Sequence, residues 1–152
     1  MDKKTRFLIA NAVTIHRSDL SAKVVLKKAK ELAGGNPKDI VTDGLASYPK
    51  AIRDVFEGQV THIGNVGIRD TINNNTLERY HGTWRERDKV MRGLDSDATA
   101  EQMLENYRTY YNFIRRHTAL GGKTPAEMAY IDLNLGQNKW LSLIQQATEG
   151  KQ

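Results

Sequence analysis

The sequence predicts an α/β fold in which helices cover a small sheet. Three short apolar segments rich in β-branched residues alternate with segments of helical periodicity, and the rest of the chain has helical periodicity alone. An order of strand, helix, strand, helix, strand and then helices is typical of a sheet covered by helices. The chain has 152 residues, which is the size of one ordinary domain.

Composition excludes several classes of protein. The chain has no cysteine, which excludes disulfides and thiolate metal sites. Zinc-ligand spacings, phosphate-cradling glycine loops and nucleophile elbows are absent from the sequence. No segment approaches the roughly 20 apolar residues that cross a bilayer, and Phe7–Ala10 is too short for a signal-peptide core. We therefore expect a soluble, intracellular protein with no membrane partner.

The charge is moderately basic. Lysine and arginine number 23 against 18 aspartates and glutamates, which gives +5 at pH 7. Basic side chains release counterions from phosphates, so this excess fits a nucleic-acid partner. Many basic proteins bind no nucleic acid, and the charge alone is weak evidence.

The first strand and helix are predicted from local signals. Thr5–Val13 is apolar and β-branched enough for a strand. Ser18 can cap the helix that follows, and Gly34 ends it. The apolar residues of this helix recur at nearly helical spacing; they are Leu20, Val24, Ala29 and Leu32. Lys23, Lys27 and Lys30 take the other side.

Two further strands are predicted, with a helix between them. Asp39–Thr42 is a short apolar strand that ends at Asp43. A helix follows over residues 47–57, since proline is tolerated in a first turn. Gln59–Ile63 is the third strand, and residues 64–74 form a polar connection.

The second half of the chain is predicted to be helical. One helix covers residues 75–89, and another begins with a cap at Asp97 and ends near His117. Thr124 caps a short helix, and residues 138–147 form one more. A stripe at spacings of three and four favours core packing over base stacking: Met103, Leu104, Tyr107, Tyr111 and Ile114.

Two carboxylates are candidates for metal binding. Asp43 follows a strand, where functional groups of open α/β sheets lie, although it could simply cap a turn. Glu78 shares a helix face with His81 and Arg85, although a first-turn glutamate also interacts favourably with the helix dipole. The pair, with 34 residues between its members, suits Mg²⁺, which prefers oxygen ligands. Phosphoryl transfer on DNA commonly uses two such ions, for which a third carboxylate is needed.

Basic residues follow Glu78 along the same predicted helix. They could form a track for a phosphate backbone, or a solvated helix face with internal ion pairs. The candidate DNA-binding residues are Arg79, Arg85, Arg87, Lys89 and Arg92.

Three segments resemble motifs of DDE-type insertion-sequence transposases and integrases. Residues 41–52 (VTDGLASYPKAI) resemble the second-aspartate segment, and residues 74–81 (NNTLERYH) resemble the glutamate helix. Residues 111–127 (YNFIRRHTALGGKTPAE) are similar to the closing signature of integrase cores. The three motifs occur in the family's order within residues 2–129.

The resemblance implies an RNase H-like mixed sheet flanked by helices, with Mg²⁺ or Mn²⁺ as cofactor. It implies DNA partners, namely transposon ends and target DNA. It also implies a cytoplasmic, nucleoid-associated location and is compatible with a homo-oligomer. Asp43 would be the second catalytic and metal-binding acid, and Glu78 the third. The family's first two strands, with the first aspartate, would lie upstream of Met1. We expect a partial catalytic core over residues 1–130 and a helical tail over residues 131–152.

With two of three acids, the isolated chain is expected to be weak or inactive as a catalyst. Asp2 has an ordinary explanation as a turn residue.

Three alternatives stay open. The first acid could come from a neighbouring reading frame or a separate chain. The chain could be a non-catalytic DNA-binding or assembly remnant of a transposase. It could also lack a stable fold, because missing strands would leave a sheet edge unpaired.

Overall fold

The structure is a computed structural model that describes residues 1–14, 18–64, 66, 70, 72–91 and 96–149. Its helices and strands confirm a mixed α/β fold. In chain order they are α1 (Asp19–Ala33), β1 (Asp39–Val41), α2 (Ser47–Phe56), β2 (Thr61–Ile63), α3 (Asn75–Met91), α4 (Asp97–Thr109), a π-helical segment (Tyr110–Ile114), a 3₁₀ turn (Thr118–Leu120), α5 (Pro125–Met128) and α6 (Lys139–Glu149).

The ends of α1 lie where the sequence predicts them. The Ser18 side chain accepts a hydrogen bond from the Ser21 N–H (3.3 Å), which satisfies one donor of the first turn. Gly34 adopts a left-handed conformation (φ 67°), and its N–H donates to the Glu31 carbonyl. Glycine adopts this conformation without steric cost, so it ends the helix here.

The inward face of α1 differs from the predicted one. Leu20 and Val24 are 73% and 54% exposed, although their spacing predicted burial. Ala22 is buried instead, and Leu26 packs against α2.

Two lysines of α1, which were predicted to face away from the apolar side, contact α2. Lys23 Nζ lies 2.6 Å from a carboxylate oxygen of Asp54. Lys30 Nζ donates to the Val55 carbonyl (2.9 Å) and lies over the Phe56 ring. Lysine stems cover apolar surface while their ammonium groups find polar partners, and this explains why the lysine side faces inward.

β1 and β2 form a parallel pair joined by α2. Asp39 is in register with Thr61, and Val41 with Ile63. Parallel strands need such a crossover connection, and their carboxyl ends therefore meet at one edge of the sheet. The buried residues of α2 pack against partly buried side chains of α1, β1 and the approach to β2; the cluster consists of Ile52, Val55, Phe56, Leu26, Ile40, Tyr48 and Val60.

The predicted strand over Thr5–Val13 is wrong. These residues carry no strand in the structure. The peptide groups of Leu8 are bonded to a side chain: its N–H donates to Asn112 Oδ1 (2.8 Å), and its carbonyl accepts from Asn112 Nδ2 (3.0 Å). A primary amide offers the same donor and acceptor as a neighbouring strand. The sheet of the described residues is accordingly two-stranded and parallel.

The predicted helix from Asp97 to His117 is shorter than expected. Ser96, rather than Asp97, caps it, because Ser96 Oγ accepts from the Thr99 N–H (3.2 Å). α4 continues as the π-helical segment, in which the Arg115 N–H donates to the Tyr110 carbonyl. Arg115 and His117 then have extended backbone conformations.

The chain divides into two compact units, residues 9–104 and residues 1–8 with 105–152. In the latter unit, the predicted core role of Tyr107 and Tyr111 is confirmed, since both are buried. Tyr110 stacks on Trp140 of α6 with ring centroids 6.2 Å apart. Thr124 caps α5, as predicted. The boundary predicted at residue 130 stays a prediction.

Candidate active site

Asp43 lies at the carboxyl end of β1, as predicted. Its side chain is exposed, and its Oδ1 accepts a hydrogen bond from the Leu45 N–H (3.2 Å). Gly44 has φ 84°, a conformation that favours glycine. Asp43 therefore has the turn-capping role that was considered as the alternative to metal binding. It uses one carboxylate oxygen, and it holds the carboxylate at the sheet edge.

A polar contact joins the two strand ends beside Asp43. Thr42 Oγ1 lies 2.9 Å from His62 Nε2, and Thr42 is 7% exposed. His62 is not among the residues predicted for the site. The signal that could have indicated it is a polar side chain within an apolar strand, on the same face as a threonine at the end of the neighbouring strand.

Glu78 lies in the first turn of α3, and its side chain is exposed. Asn74 Nδ2 donates to Glu78 Oε1 (3.4 Å), while the Asn74 carbonyl accepts from the N–H groups of Leu77 and Glu78. The asparagines before α3 thus hold its first turn. Glu78 also occupies the place where the helix dipole favours a negative charge. The helix-dipole role considered as the alternative to metal binding therefore applies to Glu78 as well.

The charges of Asp43 and Glu78 both act on His81. Burial lowers the pKa of His81, the negative charges of Glu78 and Asp43 oppose that shift, and Arg85 adds to it. Charges in proteins act mainly over short distances in salt solution. The electrostatic influence of both predicted acids therefore reaches His81, which lies on α3 with Glu78 and Arg85.

Asp43 and Glu78 have the ligand chemistry of part of a metal site. Two exposed carboxylates are hard oxygen donors of the kind that Mg²⁺ prefers. Within the described ranges, however, no group of three or more histidine, aspartate or glutamate side chains could hold a metal ion. Two carboxylates suit at most one divalent ion, and a pair of ions needs a further carboxylate.

The basic residues of α3 are accessible to a ligand. Arg79, Arg85 and Arg87 are exposed. Lys89 is exposed too, and its Nζ lies 2.9 Å from Glu86, so the alternative of internal ion pairs applies at that position. Arg92 lies outside the described residues.

Asp2 has a local role. Its Oδ1 accepts hydrogen bonds from the Thr5 N–H (2.7 Å) and the Thr5 hydroxyl (2.6 Å). Partial burial would raise the pKa of Asp2, but these hydrogen bonds outweigh burial and lower it. Asp2 is thus the turn residue that its position predicted.

His117 is buried against an aromatic ring. Its imidazole meets the Tyr111 ring edge-on, with centroids 4.6 Å apart. His117 thus packs on Tyr111 just beyond the end of the π-helical segment.

Comparison with known proteins identifies the family. A family model described as a DDE domain matches residues 1–117. No curated protein and no solved structure gives a significant match. In the part of the chain that the structure describes, no helix has the length and apolar character to cross a membrane. The family match spans most of the chain and includes both Asp43 and Glu78, and the chain therefore belongs to the DDE-domain family of insertion-sequence transposases.

Proposed function

We propose that this chain is part of the catalytic core of a transposase, and that Asp43 and Glu78 bind a divalent metal for DNA strand cleavage and transfer. The placement of Asp43 at the carboxyl end of β1 and of Glu78 in the first turn of α3 supports the proposal. The negative charges of both acids also oppose the lowering of the His81 pKa, although 34 residues separate them. We also propose that the complete domain is RNase H-like. The parallel β1–α2–β2 unit supports this, because it places Asp43 at a sheet edge.

The side chains of the site have separable tasks in this proposal. The Leu45 N–H orients the Asp43 carboxylate, and the Asn74 amide orients that of Glu78. Arg85, on the Glu78 face of α3, attracts a phosphate group of the DNA backbone. A bound Mg²⁺ or Mn²⁺ would stabilise charge on the attacking and leaving oxygens of the phosphodiester.

In this proposal, residues 1–152 supply only two of the three catalytic carboxylates. Two carboxylates suffice for one ion, and Asp2 is engaged by Thr5 in a turn. A third carboxylate has to come from a complementing segment, either another part of a longer polypeptide or a separate chain. We therefore expect residues 1–152 alone to be weakly active or inactive.

A DNA-cleavage assay tests the proposal. The purified chain is incubated with transposon-end or supercoiled DNA and Mg²⁺ or Mn²⁺, with and without a complementing segment that carries an aspartate. Cleavage is expected only with that segment. It should be lost in Asp43→Asn and Glu78→Gln, which remove charge but keep shape. Asp39→Asn, at an exposed position of β1, is the matched control and should keep activity.

Two outcomes contradict the proposal in different ways. Robust metal-dependent cleavage by the chain alone, abolished by Glu78→Gln, shows that the set of acids is complete. Cleavage by the complemented protein that survives both substitutions shows that Asp43 and Glu78 are not the catalytic acids.

A second candidate function is a non-catalytic DNA-binding or assembly remnant of a transposase. The exposed arginines of α3 favour it, because DNA binding needs no metal site. It predicts salt-sensitive DNA binding that Arg85→Ala and Arg87→Ala weaken and that Asp43→Asn leaves unchanged. It also predicts no cleavage with any complementing segment, and this result separates the two functions.

A further inference from the structure

We propose that His62 is a positioning residue that holds the Asp43 turn through Thr42. This inference rests on the proposed role of Asp43 as a metal ligand. It assigns a task to a histidine on β2 that contacts neither Asp43 nor Glu78 in any described hydrogen bond.

Thr42 is attached to β2 through both its backbone and its side chain. The Thr42 N–H donates to the Ile63 carbonyl (3.0 Å), which extends the parallel ladder by one bond. Its hydroxyl lies 2.9 Å from His62 Nε2. The residue directly before Asp43 is therefore held at two points by the neighbouring strand.

The same hydroxyl also contacts the residue directly after Asp43. The Gly44 N–H donates to Thr42 Oγ1 (3.4 Å). A hydroxyl can accept two hydrogen bonds and donate one, so Thr42 can bond His62 and Gly44 together whichever nitrogen of the imidazole carries the proton. Asp43 is thus flanked by two residues that meet at one hydroxyl.

Gly64 leaves room for this arrangement. A Cβ at residue 64 would lie 3.4 Å from His62 Cε1 and 3.9 Å from the Gly44 Cα. The ends of β1 and β2 thus approach closely around the imidazole, and a large side chain at residue 64 would displace it.

The consequence concerns metal affinity. A carboxylate held near its metal-bound position loses less conformational freedom on binding. If His62 is removed, the buried Thr42 hydroxyl loses its partner on β2 and keeps only the Gly44 N–H, so the turn that carries Asp43 is less constrained. Partners that orient metal ligands typically change metal affinity by about 10-fold or more when removed.

NMR of the ¹⁵N-labelled chain tests the inference with two readouts. The Leu45 amide shift, measured without metal, reports the hydrogen bond to Asp43; broadening by Mn²⁺ reports metal affinity. His62→Phe keeps a ring and removes its nitrogens, and Thr42→Val keeps the shape and removes the hydroxyl. Each is expected to shift the Leu45 amide and to weaken Mn²⁺ binding about 10-fold. The double variant should be no weaker than either, since coupled residues are not additive.

Conservative variants separate positioning from folding. His62→Gln can place a nitrogen near the position of Nε2, and Thr42→Ser keeps the hydroxyl. Both variants should keep the wild-type Leu45 shift and most of the wild-type Mn²⁺ affinity. Thr61→Val, at an exposed position of β2, is the control and should change neither readout.

The inference is overturned if His62→Phe leaves both readouts at wild-type values, or if the effects of His62→Phe and Thr42→Val add. If circular dichroism shows that His62→Phe does not fold, the comparison of Thr42→Ser with Thr42→Val decides, and equal values overturn the inference. Failure of the proposed function looks different. Asp43→Asn would then leave Mn²⁺ broadening unchanged, while the Leu45 shift without metal would still report on His62.

Discussion

The Asn112 side chain bonds both peptide groups of Leu8, 104 positions earlier in the chain. Asn112 is 0% exposed and Leu8 is 2% exposed. One buried amide thereby satisfies a donor and an acceptor that a neighbouring strand would otherwise bind. This pair explains how an apolar segment with the composition of a strand is held without belonging to a sheet.

Asn112→Ala should destabilise the protein strongly. It removes the hydrogen bonds that Asn112 makes with the buried N–H and carbonyl of Leu8, and each lost hydrogen bond costs about 1–3 kcal/mol. We expect the free energy of unfolding, measured with urea, to fall by about 2 kcal/mol or more. Asn106→Ala, at an exposed position of α4, is the control and should change it by less than about 0.5 kcal/mol. Equal losses in the two variants would contradict the role of Asn112.

Thr124→Ala should destabilise the segment around α5. Thr124 is buried, its Oγ1 accepts from the Glu127 N–H, and Glu127 Oε2 accepts from the Thr124 N–H. Loss of such a cap costs about 1 kcal/mol, measurable by urea unfolding. Thr124→Ser should keep most of the stability, and the exposed Thr118→Ala should be nearly neutral. A neutral Thr124→Ala would show that the capping box contributes nothing.

Stability should decrease in mild acid because of His117. Burial lowers the pKa of His117 below its ordinary value, and the positive charge of Arg115 adds to the shift. Below about pH 6.5 the unfolded chain takes up a proton at this histidine while the folded chain resists it. The free energy of unfolding is therefore expected to fall as the pH decreases from about 6.5 toward the lowered pKa.

His117→Phe tests this pH dependence, because phenylalanine keeps an aromatic ring against Tyr111 but cannot be protonated. Urea unfolding at several pH values should give a smaller slope for the variant. Some slope should remain, since burial also lowers the pKa of His81. An identical slope in His117→Phe and wild type would show that His117 does not determine the acid sensitivity.

DNA binding should depend on the arginines of α3. Arg85→Ala and Arg87→Ala remove exposed cations near the candidate site. Each is expected to weaken binding to any sequence and to reduce the slope of log affinity against log salt by about 1. Fluorescence anisotropy at several salt concentrations measures this. Arg53→Ala, exposed on α2, is the matched control; an equal effect there would show that only net charge matters.

The ends of α1 and the start of α5 were predictable because their causes are local. Ser18 and Gly34 bound α1, and Thr124 with Glu127 begins α5, through contacts within four residues in the chain. Propensity and capping chemistry are visible in any window of that size. For the same reason Asp43 could be placed at a strand end from the residues around it.

The wrong predictions of the Thr5–Val13 strand and of the inward side of α1 depend on contacts between distant residues. The segment Thr5–Val13 has the composition of a strand, and only the position of Asn112 shows that its partner is a side chain. The inward side of α1 was predicted from Leu20 and Val24, yet Asp54 and the Val55 carbonyl on α2 bind the lysines of the other side. His62 was missed likewise, because its contact with Thr42 requires the register of β1 and β2.

Mn²⁺ titration of the ¹⁵N-labelled chain tests most directly whether Asp43 and Glu78 share one metal ion. The paramagnetic ion should broaden the amide signals of Leu45 and of the first turn of α3 over the same range of Mn²⁺ concentration. Asp43→Asn should abolish the broadening at both places. Broadening of the α3 signals that is unchanged in Asp43→Asn would show that the two carboxylates do not form a common site.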